Sequence, residues 1–229
     1  MTSAAEARQG LVDLTSLARR DLAAFWAIVK DWPAADIRDA LMDVLPALGD
    51  QYGDAAAELA ASYFETARVV AGARGSFSPV VAAAPAVARW EALSRWGVDP
   101  LFSAAPDAAA ALSRVTGGLQ RTIADQHRLT IVESSIADPA ASGWKRVGVG
   151  DNCGFCRMLI DRGHVYSEAG VTFRSHDHCN CAASPSWADN VVKVSTEPYK
   201  QSRRHRSEAT KKADNARARD YIADNYGDT

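Results

Sequence analysis

All four cysteines of this 229-residue chain fall between Cys153 and Cys181, and His176 and His178 stand just before the second pair. That crowding constrains the whole C-terminal third, because thiols and imidazoles at such spacing can close around one metal ion. Cys153-Gly-Phe-Cys156 is a Cys-x2-Cys knuckle, in which two intervening residues let both thiolates enter one coordination sphere and glycine eases the turn. His176-Asp-His178-Cys179-Asn-Cys181 offers four further donors, of which a tetrahedral ion needs two. Spacing favours Cys153, Cys156, His176 and Cys181, with Cys179 the nearest competitor and His178 beside the site or on the surface. The ion expected is zinc in a structural role, since cysteine-rich spheres ordinarily close fully.

Three other readings of the same residues are weaker. Two disulfides would suit a secreted chain, but Met1 to Gly10 shows no basic region followed by an apolar run, which points to a reducing cytoplasm. A thioredoxin-like redox pair would follow a strand in a βαβ setting and would leave the second Cys/His group unexplained. Catalytic zinc needs an open position and a nearby base, for which Glu168 and Asp177 are the candidates.

Upstream of the cluster the pattern is helical. Leu11, Leu14, Ala18, Leu22, Phe25 and Val29 recur at spacings of three and four, which predicts a helix from Ala4 to about Lys30, ended by Trp32-Pro33. A second helix carries Ile37, Leu41, Val44, Leu45 and Leu48, with Pro46 threatening a kink. A third is expected after Gly53, capped by Asp54 and running to Val70. Gly72 to Pro85 reads as a connection, Val87 to Trp96 as a shorter helix, and Asp107 as the cap of a last helix reaching about Ile136. Residues 1–138 therefore form a domain of mainly antiparallel helices. Phe25, Trp26, Trp32, Tyr63 and Phe64 are expected in its core or at packing interfaces.

The pattern changes at Asp138-Pro139. Trp144 to Val149, His164 to Tyr166, Val171 to Arg174 and Asn180 to Ser184 are short and strand-like, giving a zinc-stapled module over residues 139–190. The fold class is thus α+β, with residues 191–229 as a basic, partly helical tail. Between Lys200 and Arg219 eight basic residues face Glu208 and Asp214, so the remainder of a chain of net charge −2 carries −8. A basic tail on an acidic body suits nucleic acid or an acidic protein surface, and equally a solvated helical end. No stretch has the apolar length of a membrane span. His127, His164, Ser134 and Ser135 lie in no nucleophile-elbow context, and both histidines read as surface or satisfied core residues.

Cys153-Gly-Phe-Cys156-Arg-Met-Leu, Arg162-Gly-His-Val-Tyr166 and Phe173-Arg-Ser-His-Asp-His-Cys-Asn-Cys181 together resemble the C-terminal part of minor head proteins of tailed actinobacteriophages. These are similar to Mu F-like head morphogenesis proteins, whose ending commonly carries a His-x-x-Cys-x-Cys element. Here that element is His176, Cys179 and Cys181, which raises Cys179 as a ligand. Tyr52-Gly-Asp-Ala-Ala-Ala-Glu-Leu-Ala-Ala, with Tyr63, Phe64 and Arg68, resembles the N-terminal half of the same proteins. The resemblance spans most of residues 20 to 185, is strongest from 144 to 185, and stops before the tail.

The resemblance implies a minor capsid protein of the virion head, made in the host cytoplasm and acting in procapsid assembly or at the portal vertex. Its implied partners are the portal protein and the major capsid or scaffold protein, with genomic DNA a further partner for the tail. Some relatives carry the label of capsid maturation protease, and others are compared with ADP-ribosyltransferase-like domains, but the residues for either chemistry are not evident here. A maturation protease and a non-specific DNA-binding module are the alternatives to a structural role. The latter lacks a recognition-helix signature beside the zinc.

Overall fold

The computed structural model describes residues 3–148, 153–167, 173, 175–179, 181–189 and 207–227. Helix α1 (Ala4–Val29) starts from a reciprocal cap, in which the Ser3 hydroxyl accepts from the Glu6 amide and the Glu6 carboxylate accepts from the Ser3 amide. Its buried stripe runs Leu11, Thr15, Ala18, Leu22, Trp26, Val29. Steps of three and four thus put Trp26 in the core and leave Phe25 half-buried at its edge. Trp32, expected at a packing interface, is 47% exposed.

The two helices expected after Pro33 are one, α2 (Ala34–Val70), which runs through Pro46 and both glycines. Gly49 is a notch for a neighbour: a Cβ there would lie 2.1 Å from the Trp90 ring. Leu45 and Tyr52 are buried on either side of it, so tertiary packing holds the helix together across the hydrogen bond that Pro46 cannot make. Asp54 consequently sits mid-helix and caps nothing.

Helix α3 (Val87–Val98) continues into a 3-10 turn, and α4 (Ala108–Ala137) begins where Asp107 accepts from the Ala110 amide at 2.8 Å. Gly10 against Leu59 and Asp21 bonded to Tyr52 set α1 antiparallel to α2. Leu93 against Gly118 and Val115 against Gly97 set α3 antiparallel to α4. Gly53 touches Gln126 while Arg68 bonds Asp138, so α2 and α4 run in the same direction, as alternate members of an antiparallel succession do. The intervening α3 supplies the return.

Strands β1 (Gly143–Val147), β2 (Val165–Tyr166) and β3 (Ala182–Ser186) form an antiparallel sheet in the order β2-β1-β3. The register sets Trp144 opposite both Tyr166 and Pro185. Helix α5 (Gly154–Asp161) lies between β1 and β2, and α6 (Glu208–Tyr226) follows near the C-terminus. The fold is therefore α+β, a mainly helical N-terminal region followed by a small sheet-containing module. Helix α5 was not expected, whereas the expected strand over Val171 to Arg174 lies, apart from Phe173, outside the described residues, as does Val149.

Sheet and helices share one apolar cluster in which Ala60, Tyr63, Phe64, Ile131 and Val132 meet Trp144, Phe173, Cys181 and Ala183. The Phe64 and Trp187 rings meet edge-on at 5.2 Å, and the Tyr63 hydroxyl bonds Ser184 Oγ at 2.8 Å. Beside this seam the Asp138 carboxylate is buried and accepts from Arg68 Nε at 2.9 Å, Trp187 Nε1 at 3.1 Å and the Ala140 amide at 3.0 Å. Among the described residues no helix is long and apolar enough to cross a membrane.

The described part of the tail is helical. Helix α6 carries four basic side chains (Lys211, Lys212, Arg217, Arg219) against four acidic ones (Glu208, Asp214, Asp220, Asp224), and pairs Lys211 with Glu208 and Arg217 with Asp214 internally. The excess positive charge is carried by Lys200, Arg203, Arg204 and Arg206, which lie outside the described residues.

Candidate metal centre

Cys153 is the N-cap of α5: its backbone is extended and its sulfur accepts from the Cys156 amide at 3.4 Å. The knuckle is thus the first turn of a helix, and the capping geometry turns both thiols to the same end. Sequence reading missed α5 because sulfur is not among the usual capping atoms.

The second half of the centre is a tight turn closed by the Cys179 amide, which donates to the His176 carbonyl at 3.2 Å. His178 takes the left-handed backbone conformation at its apex (φ 60°), and its ring, though exposed, lies against α4 at Gly117. Gly117 makes that approach possible, since a Cβ there would lie 2.6 Å from His178 Nε2 and 3.0 Å from Asp177 Cβ. His176 Nδ1 is 2.7 Å from the Asp177 carbonyl. With its proton on Nδ1, Nε2 keeps a lone pair facing the sulfurs, the usual way of orienting a metal-binding imidazole.

All five expected ligands converge. His176 Nε2 lies 3.1 Å from Cys153 Sγ and 3.7 Å from Cys156 Sγ. Cys156 Sγ lies 3.5 Å from Cys179 Sγ and 3.6 Å from Cys181 Sγ, and the last two are 2.8 Å apart. Cys153, Cys156 and His176 form one group able to hold a metal ion, and Cys156, Cys179 and Cys181 form another, with Cys156 common to both. Tetrahedral zinc–thiolate bonds of about 2.3 Å place sulfurs about 3.8 Å apart, close to the two sulfur separations from Cys156. All four cysteines are free thiols.

The electrostatics fit the same conclusion. Hydrogen bonds from the neighbouring thiols push Cys156 strongly up and Cys179 strongly down. Burial raises the Cys153 thiol, but the Cys156 amide and His176 outweigh it and bring it below its ordinary value. Protons are therefore shared unequally among crowded sulfurs, and a cation is what would let several be thiolates together.

Arg128 was not singled out from the sequence, yet it secures the second half of the centre. This fully buried guanidinium on α4 donates from Nε to the Cys181 carbonyl and from Nη2 to the Cys179 carbonyl, both at 2.9 Å. Its Nη1 pairs with Asp125 at 2.8 Å, and Asp125 also accepts from Ser175 Oγ at 2.9 Å and Arg89 Nη2 at 3.0 Å. Arg146 donates to Cys181 Sγ at 2.8 Å and lies 3.8 Å above the Phe173 ring. An Arg-x-x-x-x-Cys-type spacing gives no hint of this, since 53 residues separate Arg128 from Cys181.

Of the residues considered for catalysis, Ser134 Oγ is bonded to the amide and carbonyl of Val80 and fastens the 72–86 connection to α4. His127 is buried, and neither ring nitrogen has a partner among the described residues, so it is a core residue but not a satisfied one. Burial lowers it to about 4. His164 stands edge-on to Tyr166, Asp177 faces Arg121 at 3.5 Å, and Glu168 lies outside the described residues.

A family model described as VG15 protein matches residues 1–209 of the chain. No curated protein and no solved structure matches it.

Proposed function

The chain belongs to the VG15 protein family, which suggests a phage protein, and from that premise we propose a minor capsid protein of head morphogenesis with a structural zinc ion. The observation that carries the structural role is the burial of three of the five donors. Cys156, Cys179 and Cys181 are sealed beneath the helices and belong to the same apolar cluster as Phe64 and Ile131, where an ion serves as a cross-link. Soft thiolates with one imidazole suit zinc, which has no redox chemistry of its own and tolerates a small protein-imposed tetrahedron. Cys153, Cys156 and His176 would hold it with Cys179 or Cys181. The ion would lock α5 and the β3 entry together, fixing a module too small to stabilise itself.

In this reading the long helices form the rigid body that meets the portal, the major capsid protein or the scaffold during procapsid assembly. The segments resembling Mu F-like head proteins support it: Cys153 to Tyr166 builds α5 and β2, and His176 to Cys181 builds the other side of the centre. The basic residues between Lys200 and Arg206 would meet genomic DNA or scaffold.

Mass spectrometry of purified procapsids and virions tests the proposal. The protein is expected in both at low copy, with one zinc per isolated chain. Absence from both kinds of particle would sink the capsid reading, and a chain purified without metal under non-chelating conditions would sink the zinc reading.

A further inference from the structure

Cys156, Cys179 and Cys181 of the metal centre are buried, whereas Cys153 is half-buried and His176 exposed. Cys153 and His176, the two less buried donors, line a cavity of about 410 Å³ whose other wall is Arg219, Ile222, Ala223 and Gly227 of α6 and its end. A helix that is otherwise solvated thus stands across the exposed edge of the donor set.

The seat of α6 is narrow and specific. Gly154 lies beneath its last turn, where a Cβ would come within 2.6 Å of the Gly227 carbonyl and 2.9 Å of Ile222. Arg157 Nη1 donates to the Tyr226 carbonyl at 2.8 Å, placing a cation at the negative end of the helix. None of α6 is fully buried, and two of its ion pairs, Lys211–Glu208 and Arg217–Asp214, run along its own length. The family match ends at residue 209, which leaves almost all of α6 outside it.

We infer that α6 is a lid on the metal centre, controlling how fast the ion exchanges with solutes while contributing little to the fold beneath. The inference rests on the zinc reading above. With α6 seated, a chelator or metal donor must reach Cys153 and His176 past Arg219 and Ile222; with α6 lifted, that edge is open water. Docking of α6 then sets the lifetime of the metal, and ligand identity sets its affinity.

The test uses the full-length zinc-loaded chain and two substitutions that touch no donor, Ile222→Asp and the double change Ile222→Asp/Tyr226→Asp. Hydrogen exchange of the α6 amides reports whether the helix has lifted, and transfer of zinc to 4-(2-pyridylazo)resorcinol gives the release rate. A lifted helix should speed release at least tenfold, with one zinc per chain still bound at the start. An unchanged rate in a variant whose α6 exchanges freely overturns the lid. So does a helix that stays protected in both variants, because its seat would then lie elsewhere. A wild-type chain without zinc refutes the metal reading itself, a result distinct from either.

Discussion

Arg128 and Cys181 are joined by a 2.9 Å hydrogen bond from guanidinium Nε to carbonyl oxygen, across 53 residues of sequence. This bond makes α4 the backing plate of the metal centre. A buried cation is costly unless each donor is used, and here Nε, Nη1 and Nη2 all have partners while the ring of Phe173 lies 5.0 Å from the guanidinium carbon.

Replacing Arg128 by methionine would keep much of the volume but strand two buried carbonyls and remove one of the partners of Asp125. The loss expected is about 3 kcal/mol of unfolding free energy, read by urea denaturation. Arg128→Lys should restore little of it, because one ammonium cannot span both carbonyls and Asp125 in the fork geometry of guanidinium.

Cys156 is common to both donor groups, whereas Cys179 and Cys181 occupy neighbouring positions. Cys156→Ser should therefore abolish zinc binding, measured as metal per chain after gel filtration in a non-chelating buffer. Cys179→Ser and Cys181→Ser should each retain the ion with weakened affinity, since five donors exceed the four a tetrahedron needs.

The Arg68–Asp138 pair joins the ends of α2 and α4 to Trp187. Burial alone would raise the Asp138 carboxyl, but Arg68, the Ala140 amide and Trp187 outweigh it and hold it below its ordinary value. Its contribution is thus fully present above the unfolded carboxyl value of 3.8 and is lost as pH falls through the lower folded value. Asp138→Asn should cost about 3 kcal/mol at neutral pH, measured by urea denaturation, and should flatten the stability profile below pH 4.

His127 gives acid sensitivity of the same sign, at higher pH. It titrates at 6.5 when unfolded and about 4 when buried, so below 6.5 the unfolded chain binds the extra proton. Stability should fall by about 3 kcal/mol between those two values and be level above the upper one. His127→Leu should remove that slope, and at pH 7 should match or exceed the wild type, since neither ring nitrogen has a bond to lose. Denaturation curves at pH 7.5, 6 and 5 for both chains provide the measurement.

Helices with regular apolar spacing were legible in the sequence because their period reports one buried face, as in α1 and in α4 with its Asp107 cap. Pro46 and Gly53 misled, since local breakers say nothing of packing from other helices, such as the Trp90 ring that fills the notch at Gly49. The donor set was legible because its residue types are rare and close together. Its support was not: Arg128, Asp125 and Gly117 are ordinary helix residues whose roles exist only once α4 lies against the 175–181 turn.

The edge-on contact of Phe64 with Trp187 has a consequence for synthesis on the ribosome. Phe64, Ile131 and Val132 emerge early and can fold into their helices at once, yet Trp144, Phe173, Ala183 and Trp187, which share their cluster, are translated later. A nascent chain therefore carries a bare apolar face until its C-terminal module leaves the exit tunnel, and premature termination anywhere before Trp187 would release a helical body primed to aggregate.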